Sequence, residues 1–405
     1  MTPGYPSRTE LAKIVTGRAS SMLDMDIAQH AETIANTVQG RRVLVFGGSG
    51  SIGAATVREL VAYAPRLLHV VDLNENSLVE LVRDLRSDDL ISPDTELRLT
   101  PLDVGDPMMG RLLRDGVDYD LVLNFAAVKH VRSERDVFSL SRMLEVNVLA
   151  AARLLAQLAD LGVPQYFAVS TDKAANPVNI MGATERAMEL VMFDQRRPLK
   201  VTSARFANVA FSNGSLLDGW LHRLEKGQPW AVPASTRRYF VSPQESGQLC
   251  LLAATAAPDR RVVIPGLDPE VHLRDLVEVA EEVLAAVGLE AVRCHSEDEA
   301  RSVMQRVRGS GKWPVLVTSL DTAGEKEFEE FFASDDVQHT GEFSQLLTLT
   351  TPQAAPGRLD EFLARAQELC LTGEAVSSDD IIECVQAIVP GLVHRKSDLS
   401  LDARM

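Results

Sequence analysis

The chain has 405 residues, a formal net charge of −16 and a hydrophobic content of 45%. A field of this sign repels phosphate backbones, so we expect no nucleic-acid partner, although a local basic pocket could still bind a small anion. The four cysteines are far apart and are typical of reduced thiols. The N-terminus lacks a signal-peptide pattern and no uncharged apolar run is long enough to span a bilayer, so we expect a cytoplasmic protein with no membrane partner and no metal site.

The first half of the chain alternates strands with helices. Residues 8–40 have apolar positions at helical spacing and predict one or two helices. The stretches that follow predict, in order, strand "RRVLVFGG", helix 54–62, strand "LLHVVDL", helix 77–87, strands "LRLTPLDV" and "YDLVLNFAA", helix 140–160 and strand "QYFAVSTDK". This alternation favours an α/β fold with a Rossmann-type, doubly wound parallel sheet and helices on both faces.

The second half is less regular. The alternation continues through "KVTSARFANVA", becomes irregular over 211–243, turns helical over 271–289 and restarts near 295 with helix 297–308, strand "WPVLVTSL" and the aromatic stretch "EKEFEEFF", before a mainly helical end. We expect those aromatics to belong to a packed helix, or to a subunit contact. The predicted regions are an N-terminal helical segment (1–40), a Rossmann domain (41–210), a substrate region interleaved with it (211–294) and a small α/β appendage (295–405).

A glycine pattern predicts a dinucleotide site. Gly47, Gly50 and Gly53 follow an apolar strand and open a helix. Small residues let the backbone approach a pyrophosphate, whose charge is met by the free N–H groups of the helix N-terminus. Asp72 ends the next strand about 20 residues later, where an acid accepts hydrogen bonds from the adenosine ribose. It would repel a 2′-phosphate, so NAD is favoured over NADP; a glycine turn without cofactor is the alternative.

Further positions are assigned to the same cofactor. The spacing of the glycines is typical of short-chain dehydrogenases. In that arrangement further cofactor residues come from four places: the loop, the end of the second strand, the adenine contact and the end of the fourth strand. Here these residues are Ser51, Ile52, Asn74, Asp103, Val104, Ala126 and Ala127.

Three stretches, "NFAAVKHV", "VSTDKAANPVNIMGAT" and "RRYFVSPQES", resemble one family. The chain is similar to the UDP-N-acetylglucosamine 4,6-dehydratases of polysaccharide biosynthesis, members of the extended short-chain dehydrogenase/reductase superfamily, and to their soluble branch. The resemblance implies an NAD-dependent reaction on a nucleotide-activated amino sugar. C4 is oxidised, water leaves across C5–C6, and the hydride returns at C6 to give a 4-keto-6-deoxy sugar. It also implies a homo-oligomer.

The resemblance assigns roles to the polar residues of "STDK". Asp172 would be the acid toward the departing 6-OH, Lys173 the base at C5, and Thr171, rather than Ser170, the hydroxyl that meets the C4 oxygen. A lysine acts as a base only if desolvation or a nearby positive charge lowers its pKa. An exposed Asp-Lys ion pair with no role in catalysis is the alternative.

Other residues are assigned to the substrate by the same resemblance. Arg238 offers a permanently charged partner for a diphosphate. Glu245 and Asn208 would contact the nucleotide, and Asn179 would shape the sugar site. The candidate substrate residues are Lys129, His130, Asn179, Asn208, Arg238 and Glu245.

Two positions depart from the superfamily pattern. Met181 and Glu185 stand where Tyr-x-x-x-Lys is usual, and none of the 5 tyrosines is followed by lysine at that spacing. Some members of the family resemble this chain in carrying methionine at the first position. Glu185 reverses the usual charge, so we expect it to accept hydrogen bonds from the nicotinamide ribose, to take a proton, or to pair with Lys129 or Lys173.

Three functions therefore stay open. The first is the 4,6-dehydratase reaction, which the complete set of cofactor and "STDK" residues favours. The second is a sibling reaction on a nucleotide sugar, such as epimerisation or dehydration at another bond, because of Met181 and Glu185. The third is a protein that binds the nucleotide sugar or NAD without turnover. We expect Glu185→Lys to preserve the fold and to change rate or product.

Overall fold

The structure is a computed structural model that describes residues 5–128, 134, 136–318, 329–371 and 376–392. Within these ranges the strands are β1 Arg42–Phe46, β2 Leu67–Asp72, β3 Glu96–Pro101, β4 Leu121–Asn124, β5 Gln165–Val169, β6 Lys200–Ala204, β7 Asn208–Val209, β8 Trp230–Pro233, β9 Arg237–Val241, β10 Arg261–Pro265, β11 Leu273–Asp275, β12 Glu290–Cys294, β13 Lys312–Thr318, β14 Val337–His339 and β15 Leu346–Thr350.

The helices of the same ranges are α1 Arg8–Thr16, α2 Asp24–Gln29, α3 Ala31–Val38, α4 Ser51–Val61, α5 Glu75–Ser87, α6 Met109–Leu113, α7 Val137–Leu144, α8 Ala151–Asp160, α9 Ile180–Met192, α10 Leu216–Glu225, α11 Pro243–Thr255, α12 Pro269–His272, α13 Leu276–Ala286, α14 Glu297–Val307, α15 Pro356–Leu371 and α16 Ser378–Ile388. A π-helical segment, Glu145–Ala150, joins α7 to α8, and a 3₁₀ turn, Asp172–Ala174, follows β5.

The central sheet has the order β14-β15-β10-β6-β5-β4-β1-β2-β3. Strands β1 to β6 and β10 are parallel, which confirms the predicted Rossmann-type doubly wound sheet. The expectation of a purely parallel sheet is corrected at one edge, because β15 runs antiparallel to β10 and to β14. The crossover direction reverses between β1 and β4, so the crevice for a ligand lies at their carboxyl ends.

Two small sheets flank the central one. In the first, β9 lies between β7 and β11; in the second, β13 lies between β12 and β8, with all three strands parallel. The stretch 295–405, expected as an appendage, therefore contributes β13 to a sheet with β8 and contributes β14 and β15 to the central sheet. The four region boundaries stay a prediction.

The N-terminal segment forms three helices where one or two were expected. Helix α1 starts with a capping box between Ser7 and Glu10 and ends at Gly17, whose positive φ of 68° suits glycine. Buried Asp26, on α2, accepts hydrogen bonds from the backbone amides of Ser344 and Gln345. The first helices are thus tied to the C-terminal half of the chain.

The apolar core lies on both faces of the central sheet. Every residue of α9 is buried, because this helix packs against α7, α8, the π-helical segment and α16. Helices α15 and α16 pack on each other and on α7, with apolar residues such as Phe362 and Ile381 turned inward. Together these helices fix the position of the segment that follows β5.

Candidate active site

A cavity of about 470 Å³ lies at the carboxyl ends of the central strands. It begins at the glycine loop after β1 and continues past the ends of β2, β4 and β5 to the start of β7. This is the switch point where doubly wound folds bind ligands. The predicted cofactor and catalytic residues that line it are Gly47, Gly50, Ser51, Ile52, Gly53, Asp72, Asp103, Val104, Ala126, Ala127, Thr171, Asp172, Lys173, Met181 and Glu185.

The glycine loop leaves room for a phosphate group against the backbone. Gly47 has a φ of +67°, and a Cβ there would lie 2.8 Å from the amide nitrogen of Ala126. A Cβ at Gly53 would lie 2.3 Å from the carbonyl oxygen of Gly47, so α4 packs directly on the loop. Helix α4 begins at Gly50 without a side-chain cap. Its first amides are therefore open to an anion, and these residues fit the pyrophosphate of a dinucleotide.

The acid at the end of β2 is held by the backbone. The Asp72 carboxylate accepts hydrogen bonds from the amides of Ser49 and Asn74, each at 3.0 Å. It thereby joins the glycine loop to the next strand end and faces the cavity. Asn74, a predicted cofactor residue, instead caps α5 by accepting from the Ser77 amide at 3.1 Å and lies outside the cavity lining.

One arginine at the adenine side was missed by the sequence analysis. Arg142, on α7, lines the cavity and forms an ion pair with Asp103, whose other oxygen accepts from the Gly105 amide at 2.8 Å. Because Arg142 is distant in sequence from every motif, no local spacing pointed to it.

The turn after β5 gathers hydrogen bonds on one carboxylate oxygen. Oδ1 of Asp172 accepts from the Thr171 hydroxyl at 2.8 Å and from the Lys173 amide at 2.9 Å, and it lies 3.2 Å from the Lys173 ammonium. The Asp172 side chain is 4% exposed and the Lys173 side chain 30% exposed. The exposed ion pair that was the alternative for this motif is therefore partly buried at the cavity wall.

The lysine is charged in this arrangement. Burial lowers the pKa of Lys173, but the carboxylates of Asp172 and Glu329 outweigh that cost and the pKa is raised overall. Glu329 lies 3.7 Å from the ammonium. The lowered pKa that a lysine base requires is absent from this state of the site.

Glu185 faces the cavity. It is 3% exposed, and the part of the chain that the structure describes places no donor within hydrogen-bond distance of its carboxyl. Burial, and then repulsion from Glu189, raises the pKa of Glu185 to about 8, so the group is mostly neutral at pH 7. The expected pairing with Lys173 is not formed, since that ammonium lies against Asp172 and Glu329.

A buried charge network lies behind the turn and was also missed. Glu189, on α9, accepts from the Ser170 hydroxyl at 2.7 Å and from two nitrogens of Arg205 at 2.8 and 2.6 Å. Arg205, which follows β6, also forms an ion pair with Asp336 at 2.8 Å, and Arg186 pairs with Glu189 at 2.9 Å. Although burial opposes ionisation, Arg205 and Arg186 lower the pKa of Glu189 to about 2.

The network explains why Thr171 rather than Ser170 is available to the cavity. The Ser170 hydroxyl is already donated to Glu189. The local sign of the network was the three-residue spacing of Arg186 and Glu189, which lets the two side chains meet on one face of a helix.

Of the predicted substrate residues, two lie at or near the cavity, two lie outside the described residues, and two lie away from the cavity lining. Asn208 lines the cavity and donates to the Tyr239 carbonyl at 3.4 Å. Arg238, on β9, is half-buried and close enough to Lys173 to oppose its protonation. Lys129 and His130 lie outside the described residues.

Asn179 and Glu245 lie outside the cavity lining and stabilise helix starts. Asn179 caps α9 by accepting from the Gly182 amide at 2.8 Å. Glu245 completes a capping box with Ser242 on α11 and is paired at both oxygens with Arg18, each at 2.7 Å. These bonds occupy the carboxylate that was expected to contact a nucleotide ribose, so the placement does not support that expectation.

The sequence of this chain matches a known protein family. A family described as "Polysaccharide biosynthesis protein" matches residues 43–351, which cover the central sheet and the whole cavity. The chain belongs to this polysaccharide biosynthesis protein family. The match begins at β1 and ends after β15.

Several relatives of the family are similar in sequence. An uncharacterised membrane protein of Methanocaldococcus jannaschii is 34% identical over 63% of this chain and 74% of its own length. The Probable polysaccharide biosynthesis protein EpsC of Bacillus subtilis is 31% identical over 60% of this chain, which spans only 41% of that protein. A UDP-N-acetylglucosamine 4,6-dehydratase (inverting) of Campylobacter jejuni is 23% identical over 73% of this chain and 82% of its own length.

Solved structures share the fold. Pen from Bacillus thuringiensis superposes with a TM-score of 0.60 at 18% identity, covering 78% of this chain and 88% of that one. DesIV, a dTDP-glucose 4,6-dehydratase from Streptomyces venezuelae with NAD bound, gives a TM-score of 0.52 at 19% identity and covers 86% and 97%. These similarities show that the chain shares its Rossmann-type fold with these proteins. Among the described residues, no helix combines the length and apolarity needed to cross a membrane.

Proposed function

We propose that the chain is an NAD-dependent nucleotide-sugar dehydratase, and that its reaction is the 4,6-dehydration of UDP-N-acetylglucosamine. One observation supports this most. A single cavity joins the backbone cradle of Gly47, Gly50 and Gly53 to the Thr171–Lys173 turn. The relatives named as a 4,6-dehydratase act on this class of substrate.

The residues at the glycine end would hold the cofactor. The open N-terminus of α4 would meet the pyrophosphate, Asp72 the adenosine ribose, and Asp103 with Val104 the adenine side. When bound there, NAD supplies the oxidation of the sugar at C4 and the reduction at C6. Because Asp72 carries a negative charge, NAD rather than NADP is the proposed cofactor.

The residues at the other end would move protons. Lys173 holds its proton against Asp172, with 3.2 Å between Nζ and Oδ1. Transfer of that proton converts the ion pair into a neutral amine and a neutral acid without a net change in charge. A bound substrate would exclude water from the buried Lys173–Asp172 pair. Exclusion of water disfavours the charged form of the pair and thus favours transfer of the Lys173 proton to Asp172. Lys173 could then remove the C5 proton, and Asp172 could protonate the departing 6-OH.

Thr171 is the hydroxyl available to the C4 oxygen. Its hydroxyl donates to Asp172. Because Asp172 would by then hold the proton from Lys173, the C4 proton would pass through Thr171 to water. This path would replace the missing phenol, since none of the described tyrosines lines the cavity.

The test uses purified protein with NAD and UDP-N-acetylglucosamine, followed by mass spectrometry. We expect a product lighter by one water, and a rate reduced by roughly 10²–10⁴ in Lys173→Met. Lys226→Met, an exposed lysine at the end of α10, is the matched control and should be unchanged. Absence of water loss with UDP-, GDP- and CDP-linked sugars alike would refute the proposal.

A sibling reaction on the same substrates is the second candidate. Met181 and Glu185 both face the cavity at the positions of the usual tyrosine and lysine, and Glu185 is neutral. An epimerase would need C4 or C5 exchange but no reduction at C6. Reaction in D₂O separates the two, because deuterium at C5 without C6 reduction indicates the sibling reaction.

A cytoplasmic location and self-association complete the proposal. Light scattering of the purified protein gives the native mass, and a value near the 44.2 kDa of one chain would refute self-association.

A further inference from the structure

A short segment that lies well after β13 in the chain reaches Lys173 at the cavity wall. Residues 329–336, here called the strap, lie between β13 and β14 and are outside any helix. The expectation of a packed helix for the "EEFF" aromatics is therefore not met over 329–332. The strap instead runs past the turn that carries Asp172 and Lys173.

The strap is fixed by contacts at both ends. The Asn176 amide donates to Glu330 at 3.0 Å, next to the catalytic turn. Phe331 is 6% exposed and its ring lies 5.3 Å from the ring of Tyr239 on β9. At the far end Asp336 accepts from the Ala333 amide at 3.0 Å, which closes the strap on itself.

The buried network joins the strap to the turn. Fully buried Arg205 donates to the Phe331 carbonyl at 3.1 Å and to Asp336 at 2.8 Å. The same guanidinium binds Glu189, which accepts from Ser170 beside the catalytic residues. A carboxylate at the start of the strap is therefore held in a defined position relative to Lys173.

That carboxylate is Glu329. Its Oε1 lies 3.7 Å from the Lys173 ammonium, and its side chain is only 13% exposed. We propose that Glu329 is a positioning residue that acts through Lys173, holding it as an ammonium at the cavity wall until substrate displaces the ion pair. This inference rests on the proposed function for its role in turnover, but the contact itself can be tested without turnover.

The charged groups facing Lys173 come from several elements. Asp172 and Glu329 favour the ammonium, Arg238 on β9 opposes it, and neutral Glu185 on α9 lines the same cavity. Since Asp172 adjoins Lys173 in the chain and is itself a proposed acid, Glu329 is the group that can be changed without removing a proton carrier. Loss of its charge must make Lys173 easier to deprotonate.

The test compares Glu329→Gln with Glu330→Gln by competitive acetylation across a pH series and mass spectrometry of the Lys173 peptide. Glu330 is a matched control because it is the adjacent carboxylate of the strap but contacts Asn176. We expect the Lys173 midpoint to move to lower pH by about one unit in Glu329→Gln. Glu330→Gln should leave the midpoint unchanged, and Glu329→Asp, which keeps the charge, should stay close to the wild type.

Identical midpoints in wild type and Glu329→Gln would overturn the inference, as would an equal shift in Glu330→Gln. Turnover gives an independent readout. The rising limb of the kcat–pH profile should move to lower pH in Glu329→Gln, whereas a merely structural role would change Tm alone. If the acetylation midpoint moves but no nucleotide sugar reacts, the contact stands and the proposed function fails. If a nucleotide sugar reacts but neither the acetylation midpoint nor the rising limb moves, the proposed function stands and the inference about Glu329 fails.

Discussion

The two ends of the cavity are built in different ways. At the glycine end the backbone itself forms the site, and its neighbours in space, such as Gly47 and Gly53, are also neighbours in sequence. At the catalytic end, side chains from β5, α9, β6 and the strap converge around Ser170 and Lys173. The first end depends on the absence of side chains, and the second on charges buried together. The two should therefore fail in different ways when altered.

The largest effect is expected at the buried arginine. Arg205→Met removes the guanidinium between Glu189 and Asp336 and leaves both acids buried without it. Breaking such a pair costs about 3–5 kcal/mol in free energy of unfolding. Urea denaturation measures the change.

Arg196→Met is the control for that substitution. Arg196 also contacts two carboxylates, Asp194 and Asp360, but it lies at the surface. A much smaller change is expected there. Equal losses in the two variants would show that burial of the network does not matter.

The next effect is a pH dependence at Glu185. Its pKa of about 8 exceeds the ordinary value of 4.5, so between these values the folded protein retains a proton that the unfolded chain releases. Stability therefore falls as pH rises through this window and levels off above pH 8. In Glu185→Gln this loss disappears, which makes the variant more stable than the wild type by about 4 kcal/mol at pH 8 and by less than about 1 kcal/mol at pH 5.

Urea unfolding midpoints from pH 5 to pH 9 test this difference. Glu361→Gln, on the exposed face of α15, should show no pH-dependent gain. Parallel curves for wild type and Glu185→Gln would contradict the assignment of a neutral carboxyl at this position.

The backbone end should respond to a single methyl group. In Gly53→Ala the new Cβ would meet the Gly47 carbonyl oxygen at 2.3 Å, so the loop or α4 must shift. We expect a loss of about 2 kcal/mol in free energy of unfolding and weaker NAD binding. Gly219→Ala, in α10 with open space around it, is the matched control and should be neutral or stabilising. Similar behaviour of the two variants would mean that close packing is not required at Gly53.

The smallest effect is expected at Asp72. Asp72→Asn keeps an acceptor for one of the two amides, those of Ser49 and Asn74, and loses the charge. The preference for NAD over NADP should fall about tenfold, the difference between a charged and a neutral hydrogen bond. Titration of each cofactor by fluorescence measures it, with Asp84→Asn on exposed α5 as the control. An unchanged ratio would assign the preference to another residue.

The same contrast decides what the sequence could predict. The glycine loop and Asp72 were predicted from local spacing and the Thr171–Lys173 turn from resemblance, and the structure brings all of them to one cavity. Arg205 and Asp336 meet only because β6 and the strap are adjacent in space, which no local pattern indicates. Glu245 shows a different case, because resemblance assigned it to the nucleotide, whereas the structure places it in the capping box of "SPQE" and against Arg18.

The packing of α16 on α9 has a consequence for the growing chain. Helix α9 ends roughly 190 residues before α16 begins. At a translation rate of 5–20 residues per second, the apolar face of α9 that packs on α16 therefore stays uncovered for about ten to forty seconds during synthesis. During that interval the catalytic half of the sheet is already translated, while its covering helices and the strap are not. Each molecule is thus exposed to aggregation during its own synthesis, and a chaperone that binds apolar helices would find its substrate at this stage.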